Sequence, residues 1–197
     1  MKVGVFAGSF NPVHIGHLAL ANWMCEFGGV DEVCFIVSPH NPLKAEDGLI
    51  DGQRRLEWMR MVTAGYPKMS VSDVEFGLPR PSYTVHTLDV MTDAEPEKQF
   101  VLLIGSDNWV TFNQWKDYYG LLSRHPVVVI PRPDYPFDLS EHRFARPPEE
   151  DIRTVCPPQL EISSSFIRES IRKGRDIRFF LPEAIRNSVV QTFGEQK

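Results

Sequence analysis

Cysteine is scarce in this sequence, and long apolar runs are missing from it. The 197 residues include only three cysteines, Cys25, Cys34 and Cys156, and none of them has C-x-x-C spacing. An odd number in this arrangement argues against a disulfide framework and predicts reduced thiols in a cytoplasmic protein. No apolar run approaches the length of about 18 residues that a membrane helix needs. The run at residues 3–7 is also too short for a signal peptide and lacks a cleavage pattern, so we expect neither a membrane span nor export.

The sequence also lacks an excess of basic residues. Its 21 Lys and Arg are outnumbered by 26 Asp and Glu, which gives a formal net charge of -5. A protein that coats nucleic acid needs a basic surface to neutralise phosphates, so we expect no nucleic-acid partner. The basic stretch RESIRKGRDIR at 168–178 is typical of a helix with a solvated charged face and cations near its C-terminus.

Several common chemical motifs are absent. There is no G-x-x-x-x-G-K-[ST] loop, which disfavours a P-loop nucleotidase, and no H-E-x-x-H zinc site. The first apolar run is not followed by G-x-G-x-x-G, and the second ends in SPH rather than an acidic residue, so a nicotinamide-dependent oxidoreductase is a poor candidate. No Ser-His-Asp set can be assembled and no cysteine lies at a helix start, which leaves a covalent intermediate with little support.

What the sequence does contain is an alternation of strand and helix patterns. Short β-branched runs flanked by Gly or Pro indicate buried strands, and they lie at 3–7, 33–37, 101–104 and 127–130. Segments with apolar residues three and four apart indicate helices, and they lie at 15–27, 52–64, 82–93 and 115–123. This alternation predicts an α/β protein with a Rossmann-like, doubly wound parallel sheet. The length favours a single domain, residues 1–197.

The C-terminal part is expected to be helical. The proline-rich, charged segment 132–150 has no period and predicts a long surface loop, and a short strand candidate, QLEI at 159–162, follows it. Two helices are then predicted in a C-terminal subregion, residues 163–197. One begins near Ser164 and stops at Gly174, and the other has Pro182 in its first turn.

The stretch GSFNPVHIGHL, residues 8–18, directly follows the first apolar run. Ligands of open parallel sheets bind beyond the C-terminal ends of the strands. Gly8 lets the main chain approach a ligand, Pro12 fixes the turn, and a helix beginning near His14 offers unpaired N–H groups and a positive dipole end. His14 and His17 share one face of its first turn and would donate to the same anion. A phosphate site is favoured; a metal pair, or one core and one exposed histidine, are the alternatives.

Two further segments carry side chains suited to phosphate. SPHNPLK follows the second apolar run and would bring Asn41 and Lys44 to the same sheet edge, where lysine would act as a compact charge on phosphate. In ISSSFIR, Arg168 shares a helix face with Ser164, and its planar fork can grip phosphate oxygens. A surface lysine, and serines that only cap a helix, are the respective alternatives.

A third segment, IGSDNWVTFNQW at 104–115, again follows an apolar strand. Asp107 at a strand end suits a ribose hydroxyl, and Trp115 offers a flat face for an aromatic ring. Packing is the favoured interpretation for the other aromatic residues of this region: Trp109, Phe112, Tyr118 and Tyr119. Phosphate-binding groups without an evident nucleophile indicate transfer between two bound substrates, catalysed by positioning and charge stabilisation.

In their order along the chain, these segments match a known family. GSFNPVHIGH resembles the G-x-F-x-P-x-H-x-G-H signature of the nucleotidyltransferase superfamily, and ISSSFIR resembles its I-S-S-T-x-I-R element. PHNPLK, PSYTVHTL (81–88), GSDNWVTFNQW and VVIPRP (128–133) follow the order found in bacterial nicotinate-nucleotide adenylyltransferases. The resemblance covers nearly the whole chain. It implies adenylyl transfer from ATP to nicotinate mononucleotide, which yields deamido-NAD and pyrophosphate in NAD biosynthesis.

The resemblance also implies roles for individual residues. The groups implied to bind ATP are Gly8, Ser9, Phe10, His14, His17, Gly105, Ser163, Ser164, Ser165 and Arg168. The groups implied to bind the pyridine nucleotide are Asn41, Lys44, Thr84, Asp107, Trp115 and Arg132. The implied catalytic set is His14, His17, Lys44 and Arg168. Trp115 would stack on the pyridine ring, and Mg²⁺ would arrive bound to ATP, so no metal ligands are predicted in the protein.

The sequence departs from the family pattern at three positions. Ser165 replaces the usual Thr and keeps its hydroxyl, whereas His86 replaces an Asp and Leu43 stands where a histidine is common. The last two changes fall in the implied substrate pocket and leave the implied phosphate-binding residues intact. An adenylyltransferase for nicotinamide mononucleotide or phosphopantetheine is an alternative, as is a protein that binds nucleotide without turnover. PSYT and the spacing from Asp107 to Trp115 favour a pyridine nucleotide.

Overall fold

The computed structural model describes residues 1–39, 48–135, 137–138, 144–148 and 150–195. The strands of this part are β1 (Lys2–Gly8), β2 (Glu32–Val37), β3 (Met69–Ser72), β4 (Gln99–Gly105), β5 (Val127–Ile130) and β6 (Ile152–Thr154). Its helices are α1 (Ile15–Glu26), α2 (Gly52–Thr63), α3 (Val74–Gly77), α4 (Thr84–Ala94), α5 (Ser106–Trp109), α6 (Tyr118–Arg124), α7 (Ser164–Arg172) and α8 (Glu183–Gly194). A 3₁₀ turn, Phe112–Gln114, lies between α5 and α6.

These strands form one sheet in the order β3-β2-β1-β4-β5-β6, and every neighbouring pair is parallel. The order reverses between β1 and β4, which confirms the predicted doubly wound α/β fold. In such sheets ligands bind in the crevice at this reversal, beyond the carboxyl ends of the strands. Gly8 ends β1 and Gly105 ends β4, so both glycines lie at that edge.

Strand side chains alternate between two apolar cores, one on each face of the sheet. In β4, Val101 and Leu103 join the first core, whereas Leu102 and Ile104 join the second. Helices α1, α2, α7 and α8 complete the first core, and α4, α5 and α6 complete the second. A strand buried on both faces has a continuous apolar sequence, which is why these strands could be predicted.

The four predicted strands correspond to β1, β2, β4 and β5, but two strands escaped prediction. β3 (MSVS) and β6 (IRT) form the two edges of the sheet, where short and partly polar sequences suffice. The predicted strand at 159–162 is wrong, because those residues have no regular structure. Pro157 and Pro158 just before it lack the N–H groups that a sheet ladder requires.

Two helices begin later in the chain than predicted. The helix expected from residue 115 begins at Tyr118, where the side chain of Asp117 accepts a hydrogen bond from the Gly120 N–H at 3.2 Å. Pro182 lies immediately before α8 rather than within its first turn. The remaining predicted helices are found within two residues of their expected starts.

The described parts of segment 132–150 pack against the rest of the protein. Arg132 and Tyr135 form an isolated antiparallel bridge. Phe137 and Phe144 pack on the second core, and the ring of Phe144 lies 5.0 Å from that of Trp109. The expectation of a surface loop therefore missed two aromatic anchors, which the proline-rich and charged composition concealed.

The three cysteines all carry free thiols. Cys34 is buried in β2, and this burial raises the pKa of its thiol to about 11. The cytoplasmic location inferred from the cysteine pattern stays a prediction. Within the described ranges, no helix combines the length and apolar character that crossing a membrane would require.

Candidate active site

A cavity of about 520 Å³ opens at the sheet edge where β1 and β4 end. Its wall includes the loop after β1, the first turn of α1, the start of α7 and residues that follow the ends of β4 and β5. The predicted site residues among its lining are Gly8, Ser9, Phe10, His14, His17, Asp107, Arg132, Ser163, Ser164, Ser165 and Arg168. Residues separated by up to 160 positions in the sequence thus meet in one place.

The two histidines form a stacked pair at the start of α1. Their ring centroids are 3.6 Å apart, and the backbone N–H of His14 donates to Nδ1 of His17 at 3.2 Å. Because Nδ1 accepts, the neutral ring of His17 carries its hydrogen on Nε2. The pair therefore presents a defined donor at the cavity wall.

His14 is buried, with 4% of its surface exposed. Burial lowers the pKa of His14 to about 4, and the positive charge of Arg132 acts in the same direction. The imidazole of His14 is consequently neutral at physiological pH. Its Nδ1 has no hydrogen-bond partner within the described part of the chain.

Hydrogen bonds connect the start of α7 to the loop after β1. Ser163 caps the helix by accepting from the Phe166 N–H at 3.1 Å, and the Ser164 hydroxyl donates to the Pro12 carbonyl at 2.8 Å. The guanidinium of Arg168 donates to the Asn11 carbonyl at 2.8 Å and to the Ser165 hydroxyl at 3.1 Å. Partial burial, with help from Arg172, lowers the pKa of Arg168. Ser163 therefore caps the helix as the alternative interpretation expects, and all three serines line the cavity; their binding to phosphate stays a prediction.

Asp107 and Arg132 face each other across the ends of β4 and β5. Nε of Arg132 lies 3.9 Å from Oδ1 of Asp107, and both side chains are more than two-fifths exposed. The buried hydroxyl of Ser106 accepts from the Arg132 N–H at 2.8 Å and donates to the Tyr135 carbonyl at 2.7 Å, which holds this turn on the end of β4. A Cβ at Gly105 would lie 2.1 Å from Oδ1 of Asp107, so the absence of a side chain there permits this close approach.

Other predicted residues are not gathered into this cavity. Gly105 adjoins it without lining it, and Thr84 and Trp115 lie elsewhere. Trp115 packs at 5.0 Å from the ring of Phe112 beside the second core, and its Nε1 lacks a hydrogen-bond partner among the described residues. Asn41 and Lys44, with Leu43, fall outside the described residues.

The segment that carries Thr84 is held by a buried carboxylate. Glu75 is 5% exposed, and its two oxygens accept hydrogen bonds from the hydroxyls of Ser82 and Thr87, each at 3.1 Å. These two residues flank Thr84, so Glu75 fixes the backbone at the start of α4. Sequence reasoning passed over Glu75, because a single glutamate in a polar stretch carries no signal of burial.

Sequence reasoning also missed three residues near the cavity. Asn11 is buried, and its side chain donates to the Gly48 carbonyl at 2.8 Å and accepts from the Ile50 N–H at 3.2 Å. Gly16 allows the main chain to pass close to His14, whose Nδ1 would lie 3.1 Å from an added Cβ. Asn11 and Gly16 lie within the motif GSFNPVHIGHL, so this motif could have identified them. The third, Arg55, belongs to no motif.

Comparison with known proteins supports the resemblance found in the motifs. A model of the cytidylyltransferase-like family matches residues 5–170. A "probable nicotinate-nucleotide adenylyltransferase" of Bacteroides fragilis is 47% identical over 190 residues, which are 96% of this chain and 92% of that protein. A protein of the same name from Flavobacterium psychrophilum is 42% identical over 185 residues, or 94% of each chain.

Solved structures share the fold. The structure of Plasmodium falciparum nicotinic acid mononucleotide adenylyltransferase complexed with NaAD matches 97% of this chain and 95% of that chain, with a TM-score of 0.77 and 17% identity. This likeness concerns the fold, whereas the sequence relatives decide the family. The chain therefore belongs to the cytidylyltransferase-like family, in the group whose members are named nicotinate-nucleotide adenylyltransferases, as the order of its motifs predicts.

Proposed function

We propose that this chain transfers the adenylyl group of ATP to nicotinate mononucleotide, forming deamido-NAD and pyrophosphate. The observation that carries the proposal is the meeting of two helix starts, those of α1 and α7, in one cavity. Each helix start brings a positive dipole end to the cavity, which favours phosphate. At α1 the N–H groups of Ile15 and His17 already donate to the carbonyls of Phe180 and His14, so the side chains of the histidine pair supply the donors there. Since α7 belongs to residues 163–197, its place in this cavity also supports a single domain for the whole chain.

The proposed reaction requires no protein nucleophile. A phosphate oxygen of the mononucleotide attacks the α-phosphorus of ATP, and a new P–O bond forms while the bond to the α,β-bridging oxygen breaks. Pyrophosphate leaves with that electron pair, so atoms and charge balance without a proton transfer from the enzyme. The protein has to hold two anions together and stabilise the charge on the oxygens of the transferred phosphoryl group.

The histidine pair is assigned to the phosphates of ATP. His17 donates from Nε2, because its Nδ1 is occupied by the backbone N–H of His14. Neutral His14 can stack on His17 next to the positive charge of Arg132 without charge repulsion. The pair thus provides fixed donors, which act most strongly where charge develops in the transition state.

The start of α7 is assigned to the pyrophosphate end of ATP. Arg168 is already oriented by the Asn11 carbonyl and the Ser165 hydroxyl. Its remaining donors can bind phosphate oxygens, and the Ser165 hydroxyl can turn its hydrogen toward them. Ser163 and Ser164 use their side chains to seat the helix, so they contribute through backbone N–H groups.

The acceptor nucleotide is assigned to the side of the cavity formed by β4 and α5. Asp107 can accept from ribose hydroxyls, and Arg132 can bind a phosphate oxygen nearby. Trp115 and Thr84 would contact the nicotinate end, which then extends out of the cavity along α5 and the 3₁₀ turn. Asn41 and Lys44 are proposed, from the family resemblance, for the meeting point of the two substrates.

Reactions of this class generally depend on a divalent cation. We propose that this cation is Mg²⁺ and that it arrives bound to ATP. The cavity offers mostly hydrogen donors and one carboxylate, Asp107, which suits a metal that is already bound to phosphates and water. Among the described residues, no group of three or more His, Cys, Asp or Glu is arranged to hold a metal. When bound, the cation would neutralise phosphate charge and orient the triphosphate.

An acceptor comparison tests the proposal. Purified protein with ATP and Mg²⁺ is given nicotinate mononucleotide, nicotinamide mononucleotide, phosphopantetheine or no acceptor, and pyrophosphate release is followed with a coupled assay. We expect release with nicotinate mononucleotide to exceed the other three reactions by at least tenfold. A preference for either alternative acceptor would contradict the substrate, and ATP binding without release in any reaction would indicate a nucleotide-binding protein without turnover.

A further inference from the structure

Arg55 occupies an unusual environment beneath the candidate site. It lies on α2 with 0% of its surface exposed. Its guanidinium donates to four backbone carbonyls, those of Ser9 at 2.5 Å, Ser38 at 2.8 Å, Pro39 at 2.9 Å and Ile50 at 2.8 Å. Burial lowers the pKa of Arg55 to about 10, against the opposing effect of Asp51, so the group stays charged at neutral pH.

The four carbonyls come from three separate chain segments that meet at the site. Ser9 belongs to the loop that follows β1 and lines the cavity, and Ser38 and Pro39 follow the end of the neighbouring strand β2. Ile50 precedes α2 and is itself hydrogen-bonded to Asn11 of the first loop. One planar side chain therefore sets the distances between the main chains after two adjacent strands. A lysine could not reproduce this, because its ammonium lacks the rigid fork of five donors.

The bond to Ser9 has a direct effect on the cavity. The C=O and N–H of a trans peptide point in opposite directions, so holding the Ser9 carbonyl turns the Phe10 N–H away from Arg55. Phe10 has a φ of 45°, a left-handed conformation that a residue with a side chain keeps only where its surroundings impose it. Its ring packs edge-on at 5.0 Å from His17. Arg55 thus constrains a peptide that touches the phosphate side of the site.

A purely structural role explains this arrangement poorly. A buried charge is costly to desolvate, and apolar side chains of similar volume often stabilise a core as well or better. We propose that Arg55 is a positioning residue, which holds the Ser9–Phe10 peptide and, through Phe10, the ring of His17 in the geometry that ATP phosphates require. This inference rests on the proposed function, since it concerns the same cavity.

The test compares Arg55→Lys and Arg55→Ala with Arg54→Lys. Arg54 is the adjacent residue, and its exposed side chain pairs with Glu57 at 3.4 Å, so its variant controls for the loss of an arginine on α2. Turnover is measured with ATP and nicotinate mononucleotide and divided by the folded fraction from circular dichroism. Because misplacement of catalytic groups by about 1 Å can cost roughly 100-fold, we expect kcat of R55K to fall by at least about 30-fold while the KM for ATP changes by less than about threefold. R54K should match the wild type.

A rescue experiment separates positioning from stability. Millimolar guanidinium should restore kcat of R55A by at least about fivefold, because the cation can refill the vacated site and bind the same carbonyls. The same concentration of urea, and guanidinium added to the wild type, should have no effect. Turnover per folded molecule of R55K within threefold of the wild type would overturn the proposal, as would failure of both variants to fold, since either result assigns Arg55 to stability alone. A wild type without acceptor-dependent release would refute the proposed function instead.

Discussion

The triphosphate side of the candidate site and its acceptor side are assembled in different ways. On the triphosphate side, His14, His17, Ser165 and Arg168 line one cavity. A hydrogen bond connects the two histidines, and Arg168 is bonded to Ser165 and to Asn11 of the loop after β1. On the acceptor side, Asp107 lines that cavity, whereas Trp115 packs beside Phe112 outside it. The described residues of the first side meet in one cavity, whereas those of the second are spread over α4, α5 and the 3₁₀ turn.

The difference follows from what each half has to recognise. Phosphate can be bound by helix starts, whose N–H groups are placed by the fold itself once β1 and α7 are in position. A ribose and an aromatic ring instead need particular side chains on separate elements. The buried side chains that support the two sides also differ. The guanidinium of Arg55 donates to a carbonyl of the loop after β1, whereas Glu75 accepts from the hydroxyls that flank Thr84. We therefore expect mutations on the two sides to have separable kinetic effects.

The largest effect is expected for His17→Ala. Loss of one fixed donor to the transferring phosphate should lower kcat by at least about 100-fold, comparable to the removal of an oxyanion-hole donor. The loss should be equal with every acceptor, because His17 belongs to the triphosphate side. The measurement is steady-state pyrophosphate release, with Asn22→Ala, an exposed residue later in α1, as the control. Turnover of H17A close to that of the wild type would refute the assignment.

Arg168→Met should have the next largest effect. It removes charge-assisted hydrogen bonds to phosphate and releases the Asn11 carbonyl, so we expect kcat/KM for ATP to fall by about 10- to 100-fold. The KM for nicotinate mononucleotide should change little. Arg172→Met, an exposed arginine one turn later in α7, is the matched control and should stay near the wild type. Equal losses in both variants would indicate a general effect of charge rather than a contact to ATP.

Trp115→Ala probes the acceptor side. If its ring stacks on the pyridine, the KM for nicotinate mononucleotide should rise by about tenfold, since stacking of a base on an aromatic ring contributes about 1–3 kcal/mol. The KM for ATP should be unchanged. Trp23→Ala removes another half-buried tryptophan, on α1, and serves as the control. A lowered melting temperature with an unchanged acceptor KM would show that Trp115 only packs against Phe112.

Most residues predicted to bind ATP line the cavity, whereas few of those predicted to bind the pyridine nucleotide do, and the difference has a physical reason. Continuous apolar runs identified β1 and β4, a start near Ser164 and a stop at Gly174 identified α7, and the fold then brought their ends together. His14 and Arg168 were therefore located from strand ends and helix starts alone. Short strands at the edges of the sheet, such as β3, lack the continuous apolar sequence that identifies a buried strand.

Residues that act through tertiary contacts were beyond sequence reasoning. Arg55 and Glu75 look like ordinary surface charges on helices, and only the structure shows that both are buried. Phe137 and Phe144 were hidden in a loop composition that is otherwise proline-rich and charged. Trp115 was expected to begin a helix, but it directly follows the 3₁₀ turn Phe112–Gln114, and the helix begins at Tyr118. Each of these failures concerns side chains whose environment is set by elements distant in sequence.

The smallest effect we predict concerns the pH dependence of stability and comes from His14, on the triphosphate side. The folded protein holds the pKa of His14 at about 4, against an ordinary value of 6.5, so only the unfolded chain takes up this proton as the pH falls below 6.5. The free energy of unfolding should therefore decrease between pH 6.5 and pH 4, with a slope of at most about 1.4 kcal/mol per pH unit from this residue. From pH 7 to pH 5.5, His14 should lower the free energy of unfolding by about 1 kcal/mol. Urea denaturation of wild type and His14→Asn at both pH values measures it, because groups common to both proteins cancel in the difference. The stability advantage of the wild type should shrink by that amount at pH 5.5, and a difference independent of pH would show that His14 is not held neutral by the fold.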